Sequence, residues 1–337
     1  MFYRFFIIIF LLFNLFFFTQ FVSAQESEDL VRYSFSARFK VDFEGIKEVK
    51  IYTPNKTYTY KMKVIYQKPG FTYLEYLDGP VLKGKIVIDD GKKRLEYLPG
   101  SKVRLFPSLN SPLIRKRREG IFDIMLKNFD LSSPSESKFL ARPVYKVSLF
   151  PKNFPDSPFL KLWIDKVTYL PLRQEKYNPQ GKLCSSFEFI EAQFNKRIPL
   201  EKLYTSLPES PPEEKTFDFA LQPVEKIQSK IDFPLALPEY LPSGYTIQGG
   251  ILLKRWGRRA VKILYTNGLE VIVLFEIPRV EQIMMRHHRP IESGDLKMKV
   301  RENPFAKTLV WTKNGRTFIL MGDLSLEELV KVASSIK

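Results

Sequence analysis

Residues 58–67 read Tyr58-Thr59-Tyr60-Lys61-Met62-Lys63-Val64-Ile65-Tyr66-Gln67. Tyr58, Tyr60, Met62, Val64 and Tyr66 keep one side of a period of two. Thr59, Lys61, Lys63 and Gln67 keep the other, and Ile65 is the exception. Successive side chains of a strand point to opposite faces, so this stretch predicts a β-strand with one apolar face. Pro69-Gly70 breaks the pattern, Phe71 to Leu77 starts a second strand, and Asp78-Gly79-Pro80 ends it. Asp90-Gly91 joins strands at Lys85–Asp89 and Lys92–Leu98, because a tight hairpin needs positive φ at its tip. The pattern runs through Val103 and Leu105, and strands resume at Val144–Phe150, Leu160–Asp165, Leu172–Tyr177 and Leu183–Ile190. Between them, Ile121, Ile124, Met125 and Phe129 recur at helical spacing and predict a helix over Glu119–Phe129.

Further along the chain, Leu207–Glu214 carries Pro208, Pro211 and Pro212 among polar residues. Such a segment cannot sustain regular pairing and reads as a linker, extending loosely to Pro234. A second domain starts near Leu235. Asn267-Gly268 turns between strands Val261–Thr266 and Val271–Glu276, and Asn314-Gly315 between Thr308–Thr312 and Thr317–Met321. The chain closes on a helix capped at Leu324-Ser325, with Glu327 and Glu328 in its first turn and Leu329, Val330, Val332 and Ile336 on its apolar side.

At the other end, Phe5 to Phe18 is almost continuous Phe, Ile and Leu after Arg4, followed by small residues up to Ser23-Ala24. That is the pattern of a secretory signal cut after Ala24; an uncleaved anchor is the alternative, since Phe5 to Val22 is nearly long enough to span a bilayer. The expected division is therefore a signal at 1–24, a first domain at 25–204, a linker at 205–234 and a second domain at 235–337. Removing the signal costs only Arg4, so the formal charge of +16 stays strongly positive. Outside the cytoplasm a basic chain meets acidic lipid head groups and acidic polypeptides, and nucleic acid is not the expected partner. One cysteine, Cys184, excludes an internal disulfide, so stability rests on the cores, and the thiol reads as a buried, inert one.

Three stretches, in this order, resemble a known family. The first is Leu162-Trp163-Ile164-Asp165 with Thr168-Tyr169-Leu170-Pro171-Leu172-Arg173, Tyr177-Asn178-Pro179-Gln180-Gly181-Lys182 and Phe187-Glu188-Phe189, which looks like the closing sheet of a LolA-type fold. The second is Leu241-Pro242-Ser243-Gly244-Tyr245 with Tyr265-Thr266-Asn267-Gly268-Leu269, and the third is Ile319-Leu320-Met321-Gly322-Asp323-Leu324. Together they resemble the RseB/MucB family of periplasmic regulators of an envelope-stress sigma factor. The resemblance implies an α+β chain: an antiparallel LolA-like half-barrel sheet with covering helices, then a smaller mixed α/β domain. It implies a non-enzymatic protein that binds the periplasmic part of a membrane-spanning anti-sigma factor and senses lipid or lipopolysaccharide. The family's long N-terminal helix is not expected here, because Tyr33 to Phe43 reads as strand.

No catalytic constellation competes with that reading. The only histidines, His287 and His288, are neighbours and cannot share a helix face or a strand face, so they make a poor metal site; no metal or other cofactor is expected. There is no Gly-x-Ser-x-Gly elbow and no phosphate-cradling glycine loop, which leaves a hydrolase of envelope polymers as a weak alternative. Two sets of residues are the candidate sites. Tyr58, Tyr60, Met62, Val64 and Tyr66, with Tyr73, either line an apolar, acyl-binding concave face or form ordinary core; tyrosine hydroxyls want partners or water, which favours a lined cavity. Arg115, Lys116, Arg117 and Arg118, and Lys254, Arg255, Arg258 and Arg259 around Trp256, either hold an acidic protein or anionic membrane surface or are solvated faces. A LolA-like lipoprotein carrier is the second reading, although a carrier needs only the half-barrel.

Overall fold

The computed structural model describes residues 25–153, 158–208, 213–214, 221–255, 258–278, 289–303 and 306–337. The expected signal at 1–24, Trp256 and the His287-His288 pair lie outside these residues. The chain forms two compact units. One takes the chain to Arg115 together with Phe129–Glu214, and the other takes Lys116–Asn128 together with Lys215–Lys337.

The first unit is one open sheet of 13 strands. Its spatial order is β13 (Glu213–Glu214), β6 (Arg104–Pro107), β5 (Lys93–Tyr97), β4 (Ile86–Asp89), β3 (Phe71–Asp78), β2 (Thr57–Gln67), β1 (Phe43–Tyr52), β12 (Leu183–Phe194), β11 (Pro171–Tyr177), β10 (Phe159–Asp165), β9 (Arg142–Pro151) and β7 (Phe129–Leu131), with β8 (Ser135–Phe139) also paired to β9. Neighbours run antiparallel except the short β13–β6 pair. The alternation in β2 sorts the core onto two faces. Tyr60, Met62 and Val64 join Phe43, Ile51, Val144, Leu172 and Phe189 on one face. Ile65, the exception in the pattern, joins Phe71, Ile88 and Leu95 on the other. There the short helix α3 (Leu200–Tyr204) seats Leu203 against them.

Residues 25–36 form helix α1, and a 3-10 turn at Ala37–Phe39 follows. This corrects the expected strand from Tyr33. Ser27, Leu30, Val31, Ser34 and Ala37 are buried, at spacings of three and four, which is one face of a helix. Ala37 packs with Phe43, Val64 and Phe189, so the turn covers the first face of the sheet.

The second unit is a seven-stranded antiparallel sheet in the order β14 (Thr246–Arg255), β15 (Arg258–Thr266), β16 (Val271–Ile277), β20 (Arg316–Gly322), β19 (Lys307–Lys313), β18 (Leu296–Glu302), β17 (Arg289–Ser293). The β19–β20 turn puts Asn314 at φ 50° and Gly315 at φ 71°, the left-handed pair that a two-residue hairpin requires. Helix α5 (Leu326–Ser334) packs Leu329, Val332 and Ala333 into the core, and the Ser325 side chain caps it by accepting from Glu328 N at 3.1 Å.

Two expectations change here. Residues 221–234, read as loose linker, carry helix α4 (Val224–Gln228), whose Ile227 is fully buried in this unit's core. The helix read at Glu119–Phe129 is α2 (Pro112–Asn128), two turns longer at its start, and its buried residues are Phe122, Met125 and Asn128. From Lys116 onward it belongs to the second unit. Asn128 Nδ2 donates to Gly244 O at 2.8 Å and to Asn267 O at 2.9 Å. A Cβ on Gly268 would lie 2.4 Å from Met125 Cα, so only glycine lets this turn approach the helix.

Candidate ligand-binding face

The first sheet brings five of the six residues expected on the apolar face together. Tyr58, Tyr60, Met62, Val64 and Tyr66 share one cluster, and the Tyr66 ring stacks on Phe43 with centroids 5.9 Å apart. Phe43 in turn meets Phe189 edge-on at 4.9 Å and Phe194 at 5.1 Å. This end is closed core under the turn at Ala37. Val49, Tyr58, Tyr66, Tyr76, Leu82 and Phe194 of this cluster are half-buried, while Ile51 and Tyr60, towards the β1–β2 turn, are buried.

Tyr73 does not belong with them. It pairs directly with Ile65 across β2 and β3, and directly opposed residues share a face. Its ring therefore packs with Ile65, Ile88 and Leu203 on the other side of the sheet. There its hydroxyl meets Glu75 Oε2 at 3.0 Å and Ser206 Oγ at 3.4 Å, and burial, with the Glu75 charge adding to it, pushes its pKa up to about 12. Between these strands the Lys68-Pro69-Gly70 loop sets the register, with Gln67 opposite Phe71, and that register decides the face.

The same parity exposes a residue that the sequence reading passed over. Phe43, Gly45, Lys47, Val49 and Ile51 alternate along β1, and Lys47 sits opposite Met62 on β2 and opposite Phe189 on β12. A lysine thus stands in an apolar register. Its Nζ lies 3.6 Å from the Phe187 ring centroid and 6.0 Å from that of Phe189. Burial, reinforced by the like charge of Arg38, lowers its pKa to about 8.

The first basic run is divided around a helix. Arg115–Arg118 lies inside α2 instead of before it, where consecutive residues point in different directions. Arg115 is occupied within the first unit: Nε donates to Asn110 O at 2.9 Å, Nη2 to Pro69 O at 2.6 Å, and the guanidinium lies over the Phe39 ring. Arg117 and Arg118 are half-buried and Lys116 is exposed. In the second run the backbone pairs Arg255 with Arg258 and Lys254 with Arg259 across the β14–β15 hairpin. Arg259 is exposed, and its Nη1 donates to Lys230 O. The side chains of Lys254, Arg255 and Arg258 lie outside the described set.

On the opposite face of the first sheet a cavity of about 420 Å³ is lined by Gln67, Lys68, Phe71, Arg197, Ile198 and Leu200. Gln67 Nε2 donates to Ile198 O at 2.8 Å, while its buried Oε1 accepts no hydrogen bond. Cys184 is half-exposed on β12 with Sγ 3.6 Å from Lys182 O, which corrects the expectation of a buried thiol. Among the described residues no group of His, Cys, Asp and Glu could hold a metal ion, and no helix is long and apolar enough to cross a membrane.

No protein-family model matches the chain. An uncharacterized protein of Methanocaldococcus jannaschii is 22% identical over 296 residues, 83% of each chain. Among solved structures, the Pseudomonas aeruginosa MucA/MucB complex superposes with a TM-score of 0.56 at 15% identity, over 93% of this chain and 98% of that one. MucB in complex with MucA(peri) gives 0.54 at 15% identity, over 92% of this chain and 98% of that one. MucB alone gives 0.50 at 16% identity, over 93% and 98%. The chain therefore has an RseB/MucB-like fold, as its three sequence stretches led one to expect.

Proposed function

We propose that this chain is an exported, non-enzymatic binding protein that works as MucB-like regulators do. It holds the extracytoplasmic part of a membrane-anchored regulatory protein of the anti-sigma type, and an amphiphile on the tyrosine-lined face of the first unit loosens that hold. The observation that carries this reading is the extent of the likeness: it runs through both units and includes a structure in which MucB is bound to MucA. Tyr58 and Tyr76, with Val49 and Leu82, are half-buried members of the apolar face and leave area that an acyl chain would cover.

A lipid carrier is the second reading, and the same half-buried tyrosines favour it. Both are tested by immobilising the protein, exposing it to a detergent extract of its own envelope and identifying the retained proteins and lipids by mass spectrometry. Retention of a single-span regulatory protein that added lipid displaces supports the regulator. A spread of acylated proteins without it supports the carrier, and retention of neither overturns both.

A further inference from the structure

Four exposed apolar side chains of the first unit gather at one end of its sheet. Val167 is 71% exposed, Tyr33 46%, Tyr169 38% and Leu140 36%. The end of β10 runs beside the start of β9, with Asp165 opposite Val144 and Lys166 N donating to Pro143 O at 3.1 Å. The β10–β11 turn, which carries Val167 and Tyr169, therefore stands next to the β8–β9 turn, which carries Leu140 and Ala141. The last turns of α1 complete the group, since the Tyr33 and Tyr169 ring centroids lie 5.3 Å apart.

Both sheet turns hold these residues against backbone preference. Phe139 pairs with Arg142, so Leu140 and Ala141 are the two residues of a tight hairpin turn, at φ 50° and 57°. Asn and Gly fill such a turn with little strain, and Leu and Ala do not. Tyr169 sits at φ 60°. Apolar side chains at strained, solvent-facing positions add nothing to the core, and strain at a loop tip points to a functional demand. The ground around them is basic. Exposed Lys40 places Nζ 5.7 Å from the Tyr33 ring centroid, and exposed Lys138 stands on β8 opposite Pro143. Neither has a carboxylate partner among the described residues. The carboxylates of these turns are already engaged, Asp165 by Arg142 and Glu136 by Lys166.

We propose that this end of the first unit is a membrane-contact surface. Leu140, Val167, Tyr33 and Tyr169 enter the head-group layer of an anionic bilayer, and Lys40 and Lys138 meet its phosphates. Separate apolar tips on a basic ground match a flat, negatively charged layer. Tyrosine joins an apolar ring to a polar hydroxyl, which suits it to head-group depth, and lysine lays its stem on apolar surface while its ammonium reaches the anion. The contact is peripheral and reversible, and it does not depend on the proposed function.

The test uses the full chain with Cys184→Ser, so that one introduced cysteine carries an environment-sensitive dye. Val167→Cys places the dye on the proposed surface, and Gln180→Cys places it in the turn beyond the other end of β11. Each is mixed with vesicles of phosphatidylcholine alone or of phosphatidylcholine with phosphatidylglycerol. The expected result is a blue shift at Val167→Cys with the anionic vesicles, at least tenfold weaker binding to the neutral ones, reversal by salt, and no shift at Gln180→Cys. Lys40→Glu combined with Lys138→Glu is expected to weaken the anionic binding tenfold or more, with thermal melts establishing that each variant is folded. No shift at Val167→Cys, an equal shift at both dyes, or binding that survives the double charge reversal overturns the proposal. A shift that appears without vesicles, on raising the chain's own concentration or on adding lipid-free envelope protein, assigns the patch to a second copy or to a protein partner and also overturns it.

Discussion

Arg142 holds Asp165 by two hydrogen bonds, Nε to Oδ2 at 2.6 Å and Nη2 to Oδ1 at 3.0 Å, with the carboxylate fully buried. Asp165 ends β10, and its Oδ1 also accepts from the Thr168 backbone and hydroxyl, each at 2.8 Å, so one carboxylate shapes the turn into Leu170-Pro171. Burial alone would raise its pKa, but the bonds from Arg142 and Thr168 outweigh it and hold it below the usual carboxylate range. Removing Arg142 strands a buried charge, so Arg142→Met is expected to destabilise the chain by about 3 kcal/mol in denaturant unfolding. A carboxylate with a depressed pKa contributes stability above its unfolded value, near 4, and loses it as pH falls through the folded value. Asp165→Asn should therefore flatten part of the acid limb of the stability curve. An unchanged limb would mean that other carboxylates set it.

Asn128 and Gly268 fix the last turns of α2 to the second unit. Asn128→Leu leaves Gly244 O and Asn267 O without their donor, at a cost of about 1–3 kcal/mol. Gly268→Ala is worse for a different reason: φ is 99° there and the new Cβ meets the Met125 backbone. Both variants should raise amide hydrogen exchange in residues 116–128 before it rises in β16 and β20. Uniform loss of protection across the unit would show that the helix is not a separately released element.

Much of this was legible because short-range rules governed it. The alternation from Tyr58 to Tyr66 gave β2 and its core face, and the Asn314-Gly315 and Asp90-Gly91 turns gave their hairpins, since positive φ is a local demand. What was missed depended on longer-range facts. The helix at 25–36 hid behind Tyr33 and Phe35, which are exposed, while its buried stripe includes two serines. Lys47 hid because Glu44, Glu48 and Lys50 make β1 look polar throughout, although those three project from positions outside its apolar alternation. Tyr73 was placed on the wrong face because the register across Lys68-Pro69-Gly70 sets its parity, and composition does not.

That parity makes a contrast between two tyrosines. Tyr58→Asp puts a charge on the proposed acyl face and should weaken binding of an acyl-chain probe tenfold or more, with a small effect on stability because the position is only half-buried. Tyr73→Phe keeps the ring and loses the hydroxyl bonds to Glu75 and Ser206, so it should cost about 1 kcal/mol and leave binding unchanged. If Tyr73→Phe weakens binding as much as Tyr58→Asp does, the ligand lies on the other face, where the cavity beside Gln67 becomes its place.

Lys47 should be visible in the pH dependence of stability. Its folded pKa is lowered to about 8, while the unfolded chain keeps the ordinary lysine value near 10.5. Between those two values the unfolded chain binds the proton more tightly, so the contribution of Lys47 to stability rises with pH across that window and is at its most unfavourable below it. Buried tyrosines such as Tyr73 act in the opposite sense, because a raised folded pKa costs stability once the unfolded phenol ionises near pH 10. The readout is therefore the difference between the unaltered chain and Lys47→Met in urea at pH 7, 8.5 and 10. Lys47→Met should be the more stable of the two at pH 7, and its advantage should shrink towards pH 10. An advantage that stays constant would mean that Lys47 keeps its proton in the folded chain, held by a partner or by water. A loss of stability at pH 7 would mean that its contact with Phe187 outweighs the burial of its charge.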